Sequence, residues 1–313
     1  MRFGILGWGK IARTQLAPAI AEAGHTISAV GSRVPAAREL PDLPGAAWCS
    51  YEAVLADPAV DAVYIALPNH LHVPWTLRAL QAGKHVLCEK PMALSVAEVD
   101  AVQSAAHAAG RHMQEAYMVR HHPQWQMLRE LPLGALRSVQ VGFAYDNRDA
   151  DNIRNRVDWG GGALWDIGCY AVFAGLWLFG SEPKSCRLQS VLHPQWGIDI
   201  HSHGELIWAD GAVLQFEVST QSAAHQGVRV VGERGWAELA VPFNAPSQAL
   251  VRQALDGGGT AQAATELRLA PVNQYAAMVT RFAAAALAGE PTDLHESRAI
   301  ADVLARLRQS AGL

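Results

Sequence analysis

Cysteine pairing is missing from this chain. Its four cysteines, Cys49, Cys88, Cys169 and Cys186, are scattered, with no C-x-x-C and no paired spacing. That excludes a disulfide framework and points to reduced thiols in a reducing compartment. An excess of positive charge is missing too. Lys plus Arg total 25 against 29 Asp plus Glu, a formal net charge of −4, which excludes the basic footprint of a nucleic-acid binder or a membrane-surface protein. Only 17% of residues are charged and 50% are hydrophobic, so the composition is not that of a disordered chain. No apolar run reads as membrane-spanning. The opening "MRFGILGWGK" carries neither a signal-peptide core nor a twin-arginine pair. No segment repeats at a fixed period. The expectation is a soluble, cytoplasmic protein with no membrane and no nucleic-acid partner. At 313 residues it has ample material for one large domain or two medium ones.

What is present begins with a rhythm. "RFGILG", "TISAVGS", "AVDAVYIAL", "HVLCEK" and "RHMQEAYM" read as five strands, with amphipathic stretches such as Ile11 to Glu22 and "HVPWTLRALQAG" between them. Strands alternating with helices at this spacing call for a parallel sheet with right-handed crossovers. After about Met118 the pattern changes. "LRSVQVGFAY", "KSCRLQSVL", "SHGELIW", "AVLQFEVS", "GVRVVGE" and "GWAELAV" are strands with few helices between them, and Asp210-Gly211 is a hairpin signal. The fold class is therefore α/β. A Rossmann dinucleotide-binding domain over 1–118 precedes an α+β domain over 119–313 with a large, mainly antiparallel open sheet. Helices are expected from near Gly161, from Gln274 to Ala288 and from His295 to Gln309, and "DGGGTAQAA" is expected to be an exposed loop.

The first strand runs into Gly7-Trp8-Gly9-Lys10-Ile11-Ala12, a G-x-G-x-x-A turn opening a helix. Gly7 permits the tight turn, Gly9 lets a pyrophosphate reach the backbone, and small Ala12 lets helix and strand pack closely. The helix N-terminus then favours the phosphates. An NAD site usually offers Asp or Glu at the end of the next strand, for the ribose 2′-hydroxyl. Here that strand ends in Gly31-Ser32-Arg33, with Arg38 beyond. A hydroxyl and forked guanidinium donors suit a phosphate, so the cofactor expected is NADP.

Two further motifs carry chemistry. "HVLCEK" delivers Glu89-Lys90-Pro91 at a strand's carboxyl end, where ligands sit in an open α/β sheet. "GGGALWDIGCY", from Gly160 to Tyr170, places Asp166 and Tyr170 four apart on one helical face, after glycines that a ligand could approach closely. The glycine turn, the Glu89-Lys90-Pro91 stretch and this segment together resemble the Gfo/Idh/MocA oxidoreductases, and the resemblance covers essentially the whole chain. "YMVRHHPQW", from Tyr117 to Trp125, is similar to the segment joining the two domains in the sugar and dihydrodiol dehydrogenase branch.

The resemblance implies hydride transfer between a nicotinamide and a carbinol carbon of a sugar-like substrate. It makes Lys90, Asp166 and Tyr170 the catalytic residues, with Tyr170 where many members carry a proton-transferring His. It also sets Leu67, Pro68, Asn69, His72 and Glu89 along the cofactor. Oxidising an alcohol requires a group that takes its proton. A tyrosine with its ordinary pKa of about 10 is a poor base at neutral pH, and a lysine ammonium beside it favours tyrosinate. Tyr170 is thus expected as acid/base, Lys90 as its activator and donor to the substrate oxygen, and Asp166 as the positioning group.

Trp165 is a stacking candidate, Arg120 a cofactor candidate, and Arg148 and Arg156 substrate candidates. His70-x-His72 and His121-His122 lack a third ligand, so no metal is expected. Alternate apolar residues in "AVLQFEVS" and "GVRVVGE" suggest an uncovered sheet face, and with the resemblance a homodimer or homotetramer. The leading reading is an NADP-dependent aldose dehydrogenase, or an aldose–aldose oxidoreductase that retains its cofactor. The alternatives are a trans-dihydrodiol dehydrogenase and a non-catalytic dinucleotide-binding regulator.

Overall fold

The structure, a computed structural model, describes residues 1–34, 43, 45–255 and 263–313. Arg38 and residues 256–262 of the expected loop lie outside the described residues. The strands are β1 (Arg2–Leu6), β2 (Thr26–Gly31), β3 (Ala47–Cys49), β4 (Ala62–Ile65), β5 (His85–Cys88), β6 (Met113–Glu115), β7 (Leu136–Asp146), β8 (Ser185–Leu192), β9 (Asp199–Ile207), β10 (Val213–Ser219), β11 (Gln221–Gly232), β12 (Gly235–Leu239), β13 (Leu250–Leu255) and β14 (Thr265–Arg268). The α-helices are α1 (Ala17–Glu22), α2 (Tyr51–Ala56), α3 (His72–Gln81), α4 (Val96–Ala109), α5 (Pro123–Glu130), α6 (Cys169–Phe179), α7 (Gln274–Ala288) and α8 (His295–Ala311).

Two units organise these elements: Met1–Met118 with Asn273–Arg298, and Val119–Val272 with Ala299–Leu313. In the first unit all strand pairs are parallel and the sheet order is β3-β2-β1-β4-β5-β6. This is the doubly wound Rossmann arrangement, and the order reverses between β1 and β4. Strands β1, β4 and β5 are nearly continuous apolar runs because helices cover both faces. The sequence pattern missed β3, whose three residues are too few to display a period.

The boundary expected at Met118 placed all later residues in the second domain, whereas Asn273–Arg298 belongs to the first. Helix α7 packs on α1, and buried Thr292 stitches the returning segment down. Its Oγ1 accepts from Met113 N at 2.8 Å and donates to Arg111 O at 3.1 Å. Its carbonyl accepts from Gln103 Nε2 at 2.9 Å. Such long-range pairing leaves no compositional trace at either end.

The second unit holds an eight-stranded sheet in the order β14-β13-β12-β11-β7-β10-β9-β8, antiparallel except for β7 with β10. The parallel pair follows from a long crossover through α6, β8 and β9. The Asp210-Gly211 hairpin joins β9 to β10 as expected. The sheet is covered on one face, and the alternate apolar residues Leu214, Phe216, Val218, Val228 and Val230 are buried there. The outward residues include Gln140, Gln215, Glu217 and Arg229. Ile207, Val213, Val231 and Trp236 share that outward face, so the face expected to be apolar is mixed, with half-exposed apolar side chains among the polar ones. Val157–Phe179 has the length and apolarity of a membrane span, contrary to the sequence reading, but 72% of its most apolar window is buried within the protein.

Replacing Thr292 with isosteric valine leaves Met113 N and Arg111 O without their partner. The expected loss is about 1–3 kcal/mol, read from urea unfolding of the two proteins side by side.

Candidate active site

The glycine turn after β1 is built as a phosphate cradle. Gly7 has φ +92°, donates its N–H to Gly31 O at 3.1 Å, and would bring a Cβ to within 2.5 Å of Ala66 O. Only glycine is tolerated there. Gly9 is the opposite case: a Cβ built on it meets nothing within 4 Å, and the residue is exposed. Its backbone faces open space of the kind a pyrophosphate requires. Helical backbone begins at Lys10, passes through a wide π turn over Ala12–Leu16, and continues as α1. Ala12 is fully buried against the sheet. These residues fit a dinucleotide. At the end of β2, Ser32 N donates to Cys49 O at 2.9 Å, and Arg33 is exposed.

Next along the sheet's carboxyl edge is the turn that carries Lys90. Each of its neighbours is tied to the interior. Glu89 Oε1 accepts a short hydrogen bond from Tyr64 Oη, and Tyr64 is fully buried on β4. Burial, reinforced by the Glu89 carboxylate, pushes the Tyr64 phenol well up, so it remains a donor. The ring of His72 is 1% exposed, with its nitrogens 2.8 Å from the carbonyl oxygens of Pro91 and Leu67. Burial outweighs those contacts and lowers its pKa to about 4, and a neutral ring donates to only one of the two carbonyls. Met92 N donates to Glu115 Oε1 at 2.8 Å, and Ser297 bonds the same buried carboxyl. His72, expected along the cofactor, braces the turn from inside. Leu67 is buried, Asn69 opens the short turn before α3, and Lys90 is half-exposed.

In the second unit the glycine run is crowded by the protein itself. A Cβ on Gly161 would sit 2.3 Å from Arg154 O, and one on Gly162 (φ +112°) only 2.0 Å from Asp199 Oδ1. Gly161 thus accommodates the loop's own carbonyls, and Gly162 accommodates Asp199. Buried Asp199 accepts from Leu164 N at 2.7 Å and Ser202 Oγ at 2.8 Å, which anchors the start of the helix bearing Asp166 and Tyr170. That helix also opens on a π turn, Leu164–Gly168, before α6, a feature frequent at functional sites.

Asp166 Oδ2 accepts from Tyr145 Oη at 2.5 Å and from Arg154 Nε at 3.1 Å. Tyr170 is 4% exposed, its ring 5.7 Å from that of Phe143 and 5.1 Å from that of Phe243.

Other expected residues are placed elsewhere. Trp165 is buried beneath the Arg308 guanidinium, 5.4 Å from its ring centre, which leaves little face for stacking on a ligand. Arg120 lies over Trp177, Arg156 lies over Trp159, and exposed Arg148 pairs with Asp146 at 2.9 Å. Sequence reasoning did not name Arg154, Tyr145, Asp199, Glu115 or Tyr64. Three arginines within nine positions cannot be ranked by type, and only the loop's path selects Arg154.

Burial pushes Glu115 up to about 7, against an ordinary value of 4.5. The folded chain then holds a proton that the unfolded chain has released, so stability falls as pH rises from about 4.5 to about 7. The decline is on the order of 3 kcal/mol at most. Glu115→Gln keeps an oxygen for Met92 N, and urea unfolding across that pH window should show a smaller decline than in the wild type.

Comparison with known proteins agrees with this geometry. Residues 1–117 match the model described as oxidoreductase family, NAD-binding Rossmann fold, and residues 125–238 match the GFO/IDH/MocA C-terminal domain. The chain is 36% identical over 322 residues to D-xylose 1-dehydrogenase (NADP(+)) 2 of Haloferax volcanii, covering 99% of this chain and 97% of that protein. It is similar to the 3-ketoreductase KijD10 of Actinomadura kijaniata, solved with NADP and TDP-benzene. There the TM-score is 0.92 at 29% identity, over 99% of this chain and 98% of that one. It is also similar to the aldose–aldose oxidoreductase of Caulobacter crescentus, solved with glycerol, at TM-score 0.86 and 28% identity over 100% and 97% of the two chains. The chain belongs to the Gfo/Idh/MocA family of oxidoreductases.

Proposed function

We propose that the chain is an NADP-dependent oxidoreductase interconverting a carbinol and a carbonyl carbon of an aldose sugar. The observation that carries this reading is the buried bracing of the Lys90 turn, in the same unit as the open cradle at Gly9. A lysine fixed so firmly at the carboxyl edge of a parallel sheet suits a reacting centre. Gly7, Trp8, Gly9, Lys10 and Ile11 would hold the pyrophosphate. Ser32 and Arg33, with no acid beside them, would meet a 2′-phosphate rather than a free hydroxyl. When bound, NADP supplies the acceptor or donor of the carbinol C–H hydrogen and its electron pair.

The chain's own residues handle the proton. Tyr170 exchanges it with the substrate oxygen, Lys90 donates a hydrogen bond to that oxygen, and Asp166 fixes the substrate hydroxyl. The aromatic packing of Tyr170 restricts its ring and so limits the positions its hydroxyl can take. Retention of Lys90, Asp166 and Tyr170 together favours an enzyme over a dinucleotide-binding regulator. Four cysteines that form no disulfide with one another suit a reducing, cytoplasmic setting. Pairing of two or four copies through the second sheet, which family membership suggests, would use a face that carries Val213, Val231 and Trp236 beside Gln215, Glu217 and Arg229.

Purified protein mixed with glucose or xylose and excess NADP should develop the near-ultraviolet band of reduced nicotinamide, faster than with NAD. Continuous growth of the band marks an ordinary dehydrogenase. A burst of one equivalent without added cofactor marks retained cofactor and sugar-to-sugar transfer. No band with aldoses but one with cyclic diols moves the substrate to dihydrodiols. Tyr170→Phe should lower turnover roughly 10²–10⁴-fold while nucleotide binding, followed by fluorescence titration, is kept. Unchanged turnover in that variant removes Tyr170 from the acid/base role.

A further inference from the structure

Arg154 and Tyr145 are assigned no part by the proposed reaction, yet both converge on Asp166. We infer that they are positioning residues, which hold Asp166 as an oriented carboxylate that accepts from the substrate hydroxyl and takes no part in proton exchange. This rests on the proposed role of Asp166.

The geometry argues it in three steps. The Asp166 side chain is 12% exposed, and a carboxylate so far out of water stays charged only if donors and an opposite charge meet it. Both are present: Tyr145 Oη at 2.5 Å and the Arg154 guanidinium at 3.1 Å, on the same oxygen, Oδ2. A tyrosine so placed competes with Tyr170 for the acid/base role unless its own proton is held. Burial, with the Asp166 charge beside it, pushes the Tyr145 phenol far above the range in which it could ionise. Tyr145 therefore donates at every working pH, and proton exchange falls to Tyr170.

The arrangement is also local and stiff. Tyr145 is at the end of β7, Arg154 lies in the short turn Ile153–Asn155, and Asp166 lies in the π turn. Asn155 Nδ2 ties the intervening loop to Asn147 O and Asp149 O at 3.2 and 2.7 Å. Among the described residues, further charged groups facing this cluster include Asp199 on β9, beside Tyr145, and Arg308 on α8, beside Asp199. Of these two only Arg308 carries opposite charge, and it is engaged with the Trp165 ring.

The test is carbon-13 NMR of the Asp166 carboxyl in the intact protein, assigned with Asp166→Asn, without substrate. Arg154→Met should raise the Asp166 titration midpoint by about 1–3 pH units, and Arg154→Lys, which keeps the charge, should restore most of it. Tyr145→Phe should raise it by less. In turnover, the acid limb of kcat/KM should move to higher pH in Arg154→Met and back in Arg154→Lys. Equal midpoints in wild type and Arg154→Met overturn the inference, whatever the activity. If wild type turns over no aldose or diol but the midpoint moves, the positioning stands and the reading of the reaction fails.

Discussion

A carboxyl group taken out of water has to be met by donors, and in this chain that requirement fixes the turn at Lys90 and the helix start that bears Asp166 and Tyr170. Glu89 is met by Tyr64, Glu115 by Met92 N and Ser297, Asp166 by Tyr145 and Arg154, and Asp199 by Leu164 N and Ser202. In each case at least one partner comes from a different element. Leaving any of these acids unmet would cost far more than a surface polar group does. The backbone around each has therefore a single acceptable path. Lys90 and the start of the α6 helix inherit their positions from acids beside them.

The same requirement explains the glycines. In the first unit glycine leaves open space beside the backbone, as at Gly9. In the second it makes room for the protein's own buried acid, as at Gly162 against Asp199. A sequence shows both as the same letter. At Gly161 and Gly162, where close approach of a ligand was expected, a Cβ would meet Arg154 O and Asp199 Oδ1.

Much of the fold was legible because it is written in short-range periods. The alternation of strands and helices, the fingerprint at Gly7, the Asp210-Gly211 hairpin and the bounds of α7 all depend on neighbours within a few residues. What stayed hidden depends on partners far apart. Strand β3 exists because β2 offers an edge, β13 because β12 does, and β14 because β13 does. His72, expected along the cofactor, is a buried brace whose neighbours are two carbonyl oxygens that no side-chain pattern reports. Lys90, Asp166 and Tyr170 could be named from motifs, whereas Tyr145 and Arg154 come from a strand end and a loop without a motif.

The return of Asn273–Arg298 to the first unit has a consequence for anyone who would cut or graft this chain. The polypeptide changes unit three times, after Met118, after Val272 and after Arg298. A fragment ending at Met118 would leave α1 without α7 and the ends of β6 without Thr292, so it is not a portable nucleotide-binding module. Exchanging the second unit for another substrate-handling one means replacing an internal insert and a tail together, and keeping the intervening helix in place.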